Sequence, residues 1–175
     1  MSPASPVRKR SRQSRAMARE DSGVIESRTV PSGEPPATDL VAAMVDEVSE
    51  LYGRIDVPGA PSATPEDFSP EHGGVFLVVF EDGVPVAGGG LKRLDESACE
   101  IKRMYVVPEA RGRGHASRLL QALEDEARRL GYAIARLDTG VHQPAAQAMY
   151  ERAGYRPIGN FNANPFASFW GEKVL

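Results

Sequence analysis

Residues 98–138 pass from an alternating strand pattern through a glycine-bearing turn into a long amphipathic helix, then out into a second strand pattern. No other stretch restricts the fold as much, because a strand–helix–strand unit returning to one sheet makes a parallel pair with a right-handed crossover. Residues 98–107 alternate Ile101, Arg103 and Tyr105 against Lys102, Met104 and Val106, and Pro108 stops the run. The helix predicted over 114–130 gathers Ala116, Leu119, Leu120, Leu123, Ala127 and Leu130 on one face. Glu124 with Arg128 and Asp125 with Arg129 stand at favourable i,i+4 spacing, and Gly131 suits the position just past the helix. Residues 132–138 are the expected return strand.

The flanking sequence adds strands and helices in a mixed order. Residues 23–30 form a weak strand pattern before Pro31 and Gly33. Over 39–52, Leu40, Val41, Met44, Val45, Val48, Leu51 and Tyr52 recur at helical spacing, with Thr38 or Asp39 as cap and Gly53 as terminator. Residues 54–74 contain Pro58, Pro61, Pro65 and Pro70, and so long a connection usually serves a function. Strands over 75–80 and 84–91 flank Asp82-Gly83 as a hairpin, a short helix spans 144–153 before Gly154, and a last strand spans 167–175. The expected architecture is α/β (α+β), a sheet with helices on both faces.

Length, at 175 residues, suits one domain, and 41% apolar content supplies its core. Residues 1–22 hold almost no large apolar side chains and are expected to be a disordered basic tail, with 23–175 a single domain. Up to Glu20 the tail carries Arg8, Lys9, Arg10, Arg12, Arg15 and Arg19 against one acid, +5. Removing these six from the 21 basic and one from the 24 acidic side chains leaves 15 and 23, a body near −8. An acidic body argues against a nucleic-acid partner, although the tail alone leaves a targeting segment or a basic arm open. No run approaches the roughly 18 apolar residues of a membrane span, and the single Cys99 excludes an internal disulfide, so a cytoplasmic setting is expected.

The chemistry concentrates in Arg111-Gly112-Arg113-Gly114-His115-Ala116, between strand and helix. Two glycines let backbone approach a ligand, and the unpaired N–H groups and positive dipole end of the next helix suit a phosphate or pyrophosphate. Arg111 and Arg113 add charge, but the segment is neither a Walker loop nor a complete dinucleotide fingerprint. A plain helix-capping turn is the alternative on this segment alone. In its setting, Arg-x-x-Gly-x-Ala on Arg111, Gly114 and Ala116 resembles the pyrophosphate-binding signature of the GCN5-related N-acetyltransferase (GNAT) superfamily. A second piece, Gln143, Ala146, Met149 and Tyr150 followed by Gly154-Tyr155, resembles the family's Asn-x-x-Ala-x-x-Leu-Tyr helix, with Gln in place of Asn.

The resemblance, from about Val75 to Leu175, implies a mostly antiparallel central sheet with a splayed strand pair where acetyl-CoA binds. It implies that Arg111, Gly112, Arg113, Gly114, His115, Ala116 and Gln143 hold the coenzyme, with backbone amides of Met104, Tyr105 and Val106 on pantetheine and the thioester carbonyl. It further implies direct transfer of acetyl to an amine, with Tyr150 protonating the departing thiolate. Glu100, eleven positions before Arg111, matches the glutamate base of histone-type members, with Asp138 as substitute base or as attractor of a cationic acceptor. On the residues alone, Glu100 is equally a strand glutamate paired with Lys102, and Tyr150 a packed helix tyrosine.

A route through Cys99 is not expected, since no His partner stands near it, and His72, His115 and His142 lack metal-ligand spacing, so no metal is expected. His142 is expected to brush the acceptor. The 54–74 connection and the aromatic segment 161–170 are the expected borders of the acceptor site. The alternative to an enzyme is a catalytically weak acyl-CoA-binding or sensing module. Dimerisation is common in the superfamily it resembles, so a homodimer is allowed, yet no sequence feature sets an oligomeric state.

Overall fold

The computed structural model describes residues 23–53 and 62–175. The expected tail, residues 1–22, and residues 54–61 of the long connection lie outside the described residues. In chain order the elements are β1 (Ile25–Thr29), α1 (Ala37–Tyr52), β2 (Val75–Glu81), β3 (Val84–Arg93), β4 (Ala98–Val106), α2 (His115–Arg129), β5 (Ile134–Gly140), α3 (Pro144–Arg152), β6 (Arg156–Pro157) and β7 (Ala167–Val174). The seven strands form one sheet in the order β1-β2-β3-β4-β5-β7-β6. Its one parallel pair is β4 with β5, joined through α2 as the crossover required.

Helices cover both faces. The solid apolar run of β2 follows from that, because alternate residues serve different cores. Val75, Leu77 and Val79 pack with Leu119, Leu120 and Leu123 of α2 and with Tyr150 of α3. Phe76, Val78 and Phe80 pack with Ala37 and Leu40 of α1 and with Phe68. Each fully buried large side chain contributes about 1.5–3 kcal/mol. Phe68, on a 3-10 turn at Pro65–Phe68, lies so close to β3 that a Cβ on Gly90 would stand 2.4 Å from its ring.

Four local expectations need correction. Helix α1 begins at Ala37 after Pro36 with no side-chain cap, because the Thr38 N–H already bonds the Glu34 carbonyl and draws Thr38 and Asp39 inside. On α2, Arg128 meets Glu124 at 3.8 Å, but Arg129 pairs with Glu126 at i+3 and not with Asp125, which Arg128 takes at 2.8 Å. Strand β6, two residues long, was too short to leave a pattern. The simple alternation of β4 fails at a bulge. Gly88 pairs Tyr105 and Gly90 pairs Lys102, so Arg103 and Met104 together face the position of Gly89. Arg103 takes φ 59° there. The inward parity consequently changes: Cys99 and Ile101 before the bulge, and Met104 and Val106 after it, pack on the α2 side, while Tyr105 packs on the α1 side.

Candidate active site

The site begins where two strands part. Parallel pairing of β4 with β5 covers Ala98, Cys99 and Glu100 against Ile134, Ala135 and Arg136 and then stops. From Ile101 to Val106 the β5-facing edge of β4 has no strand partner among the described residues. The resulting wedge holds two adjoining cavities of about 640 and 470 Å³, roofed by α1 through Met44 and Val48. Met104, Gln143, Ala146 and Tyr150 line both, so the cavities meet at Tyr150.

The smaller cavity ends at the 111–116 turn. Gly112 and Gly114 have φ 75° and 83°, and a Cβ on either would meet nothing within 4 Å, so backbone conformation demands glycine and space beside it is open. Gly114 is the N-cap of α2, and Gly112, Gly114, Ala116 and Ser117 line the cavity around that helix start. Arg111 also lines it, stacked 5.6 Å from the Tyr105 ring, donating Nε–H to the Val106 carbonyl at 3.0 Å and pairing with Glu47 of α1 at 2.5 Å. Arg113 instead pairs with Glu81 at 2.6 Å and is not in the wall. The His115 side chain is buried, 3.8 Å from Glu81, and neither ring nitrogen has a hydrogen-bond partner. Open space, helix-start amides and one wall cation suit an anion such as a pyrophosphate.

Tyr150 is buried, and among the described residues its hydroxyl reaches only the Met104 Sδ at 3.8 Å. Burial first, and the Asp138 charge second, push its pKa above the ordinary phenol value, so the proton stays on the oxygen. The Gln143 Oε1 accepts from the Thr139 hydroxyl at 3.2 Å and the Gly140 N–H at 3.3 Å, which fixes the amide at the start of α3. His142 lines the smaller cavity and not the larger one. Its ring packs 4.9 Å from Tyr52, whose hydroxyl accepts the His142 N–H at 2.9 Å.

The larger cavity is lined by Lys102, Arg103 and Asp138. Asp138 at the end of β5 lines it; Glu100, only 4% exposed, stands just before the wedge and is not in the wall. The two carboxylates share one amide, because Asn162 Nδ2 donates to Glu100 Oε1 at 2.7 Å and to Asp138 Oδ2. Lys102 pairs with Glu100 at 2.7 Å, Asn164 donates to Asp138 at 3.2 Å, and Trp170 holds Asn162 through an indole N–H at 3.0 Å. Ser62, Ala63, Asn164 and Phe166 bring part of the 54–74 connection and of the 161–170 segment into the wall of the larger cavity. Cys99 is fully buried, and burial, then the Glu100 charge, push its thiol up to about 12, which leaves no nucleophile there. Among the described residues no three His, Cys, Asp or Glu side chains converge on a metal-sized site.

Comparison with known proteins agrees with this geometry. Residues 43–155 match the acetyltransferase (GNAT) family. The chain is 32% identical over 146 residues to the IAA acetyltransferase of Azospirillum brasilense, covering 81% of this chain and 95% of that one. Its fold matches a GNAT family acetyltransferase from Staphylococcus aureus (TM-score 0.70, 17% identity, 86% of this chain and 99% of that chain). It also matches one from Elizabethkingia anophelis with acetyl-CoA bound (TM-score 0.62, 17% identity, 89% and 100%). The chain therefore belongs to the GNAT family and is an acyltransferase.

Proposed function

We propose that the protein transfers an acetyl group from acetyl-CoA directly to a primary amine of a small molecule, peptide or protein. The observation that carries this reading is the position of Tyr150, a protonated phenol where an anion-suited cavity meets one lined by a carboxylate. Acetyl-CoA would be held by Arg111 and the amides of 112–116, with Met104, Tyr105 and Val106 along the free edge of β4 and Gln143 opposite; bound there, it supplies an activated acetyl thioester. Amides fixed on the strand edge favour charge developing on the carbonyl oxygen without having to reorganise.

Asp138, in the wall, meets the acceptor ammonium and takes its proton, while Glu100 steadies it through the shared Asn162 amide. Tyr150 donates to the leaving thiolate; Met104 Sδ is a weak acceptor and leaves that proton available. The acetyl-CoA-bound neighbour and the relative named as an acetyltransferase support the choice of donor.

The test is release of coenzyme A from acetyl-CoA across a panel of primary amines, alongside the melting temperature with acetyl-CoA. Turnover lost in Tyr150→Phe with donor stabilisation intact is the expected result. Stabilisation without turnover on any amine would leave an acyl-CoA-binding module. No stabilisation at millimolar acetyl-CoA would overturn the assignment of donor.

A further inference from the structure

We propose that Arg103 binds a carboxylate of the acceptor, so that the acceptor is a zwitterion of amino-acid type and not a purely cationic amine. The inference rests on the reading above for what the larger cavity does, and adds which chemistry enters it.

Arg103 holds a backbone conformation that L residues avoid, φ 59°, at the β4 bulge. A glycine or asparagine would tolerate that position more readily, and an arginine there brings a guanidinium to the α1 side of the sheet. Its group lies 5.8 Å from the Phe68 ring centroid, donates through Nη2 to the Ala63 carbonyl, and lines the larger cavity. Among the described residues no carboxylate forms an ion pair with it. Asp67, the acid that acts on it from a distance, has Lys92 at 3.5 Å, and Lys102 is taken by Glu100 at 2.7 Å.

The opposite wall mirrors this. Asp138 is held by the neutral amides of Asn162 and Asn164, with no cation paired to it among the described residues. One cavity thus presents a cation without an anion and an anion without a cation. Burial lowers the guanidinium pKa, which shows a charge short of solvent that an incoming carboxylate would compensate. A planar guanidinium with free donors accepts a carboxylate in a fork that a lysine cannot offer. A polyamine would place a second positive charge against Arg103. Met44, Val45, Val48 and Phe166 give the wall an apolar stretch beside its polar groups, which suits an apolar or aromatic side chain on the ligand.

Trp170, the only tryptophan, is hydrogen-bonded to Asn162 and so reports on the Asp138 side by fluorescence. The full chain would be titrated with each of the twenty amino acids, and with the carboxamide of every amino acid that binds. Coenzyme A release from acetyl-CoA would be followed on the same panel. At least one free acid should bind about 10- to 100-fold more tightly than its amide, the ratio expected of a charge-assisted pair. Arg103→Gln should abolish that ratio and Arg103→Lys restore part of it, with stabilisation by acetyl-CoA unchanged. Equal binding of acid and amide, no saturable binding of any free acid at millimolar concentration, or a ratio that survives in Arg103→Gln would each overturn the inference. Should Arg103→Gln fail to fold, the acid-to-amide ratio of the unaltered chain decides. Arg103-dependent binding without coenzyme A release would overturn the acetyl-transfer reading alone. Release from amides and acids alike would overturn the Arg103 assignment alone.

Discussion

The two ends of the wedge, donor and acceptor on the function proposed above, are built by different means. The donor end is mostly backbone from one continuous segment: a turn with two positive-φ glycines, a helix start and an unpaired strand edge. The acceptor end is side chains from β4, β5, the 62–68 turns and the 160–166 loop, tied together by Asn162. Backbone constrains a ligand by shape and N–H geometry that substitutions elsewhere hardly alter, whereas a side-chain network can be re-cut one residue at a time. On the proposed function, the acceptor end is therefore the one that single substitutions alter more readily.

The sharpest way to break the contrast is Gly114→Glu. It forces a side chain into φ 83° and sets a negative charge at the helix start, so stabilisation by acetyl-CoA should vanish and its KM rise by about 100-fold or more. Asp138→Asn should leave that stabilisation intact, and its loss there would erase the division into two ends. Tyr150→Phe comes next: kcat should fall about 100-fold with KM for acetyl-CoA unchanged, since the phenol proton acts after binding.

Asn162→Ala should cost about tenfold in kcat/KM for the acceptor and nothing in donor binding, because it frees two buried-side carboxylates without touching the turn. A weakened donor would mean that the network spans both ends. The smallest effect at neutral pH concerns the shared core beneath them. The Cys99 thiol keeps its proton up to about 12 in the folded chain, against 9.0 for an ordinary thiol. The unfolded chain ionises first, so this contribution is complete below pH ~9 and is lost as pH rises toward ~12. Thermal unfolding of Cys99→Ala should therefore show a flatter decline over that range, and a slope equal to the parent chain's would remove the thiol from the account.

What could be read in the sequence follows the same division. The crossover, its long helix and the 111–116 turn were legible because each is written in neighbouring residues: leucines at helical spacing, then glycines before the first of them. Asn162 was not, since a loop asparagine gains meaning only when β4 and β5 bring Glu100 and Asp138 to its amide. Tyr52 was legible as a helix residue but not as the acceptor of the His142 N–H, 90 residues away. Glu100 was found by its offset from Arg111, yet its burial behind Lys102 and Asn162 depends on tertiary packing. Arg103 left no signal, because alternation of polar and apolar residues looks regular through a bulge that only the register against β3 exposes.

That bulge also determines how the gene tolerates insertions and deletions. Losing one codon at Arg103 would close the bulge and leave β4 one residue shorter in unbroken register with β3. Met104 would stand alone opposite Gly89, Met104 and Val106 would stay beneath α2 with Tyr105 on the α1 side, and what would go is the guanidinium and the local bend. Elsewhere in the paired part of β4 a lost codon would shift register and turn side chains to the other face; at the bulge it would remove one arginine and leave both cores as they are.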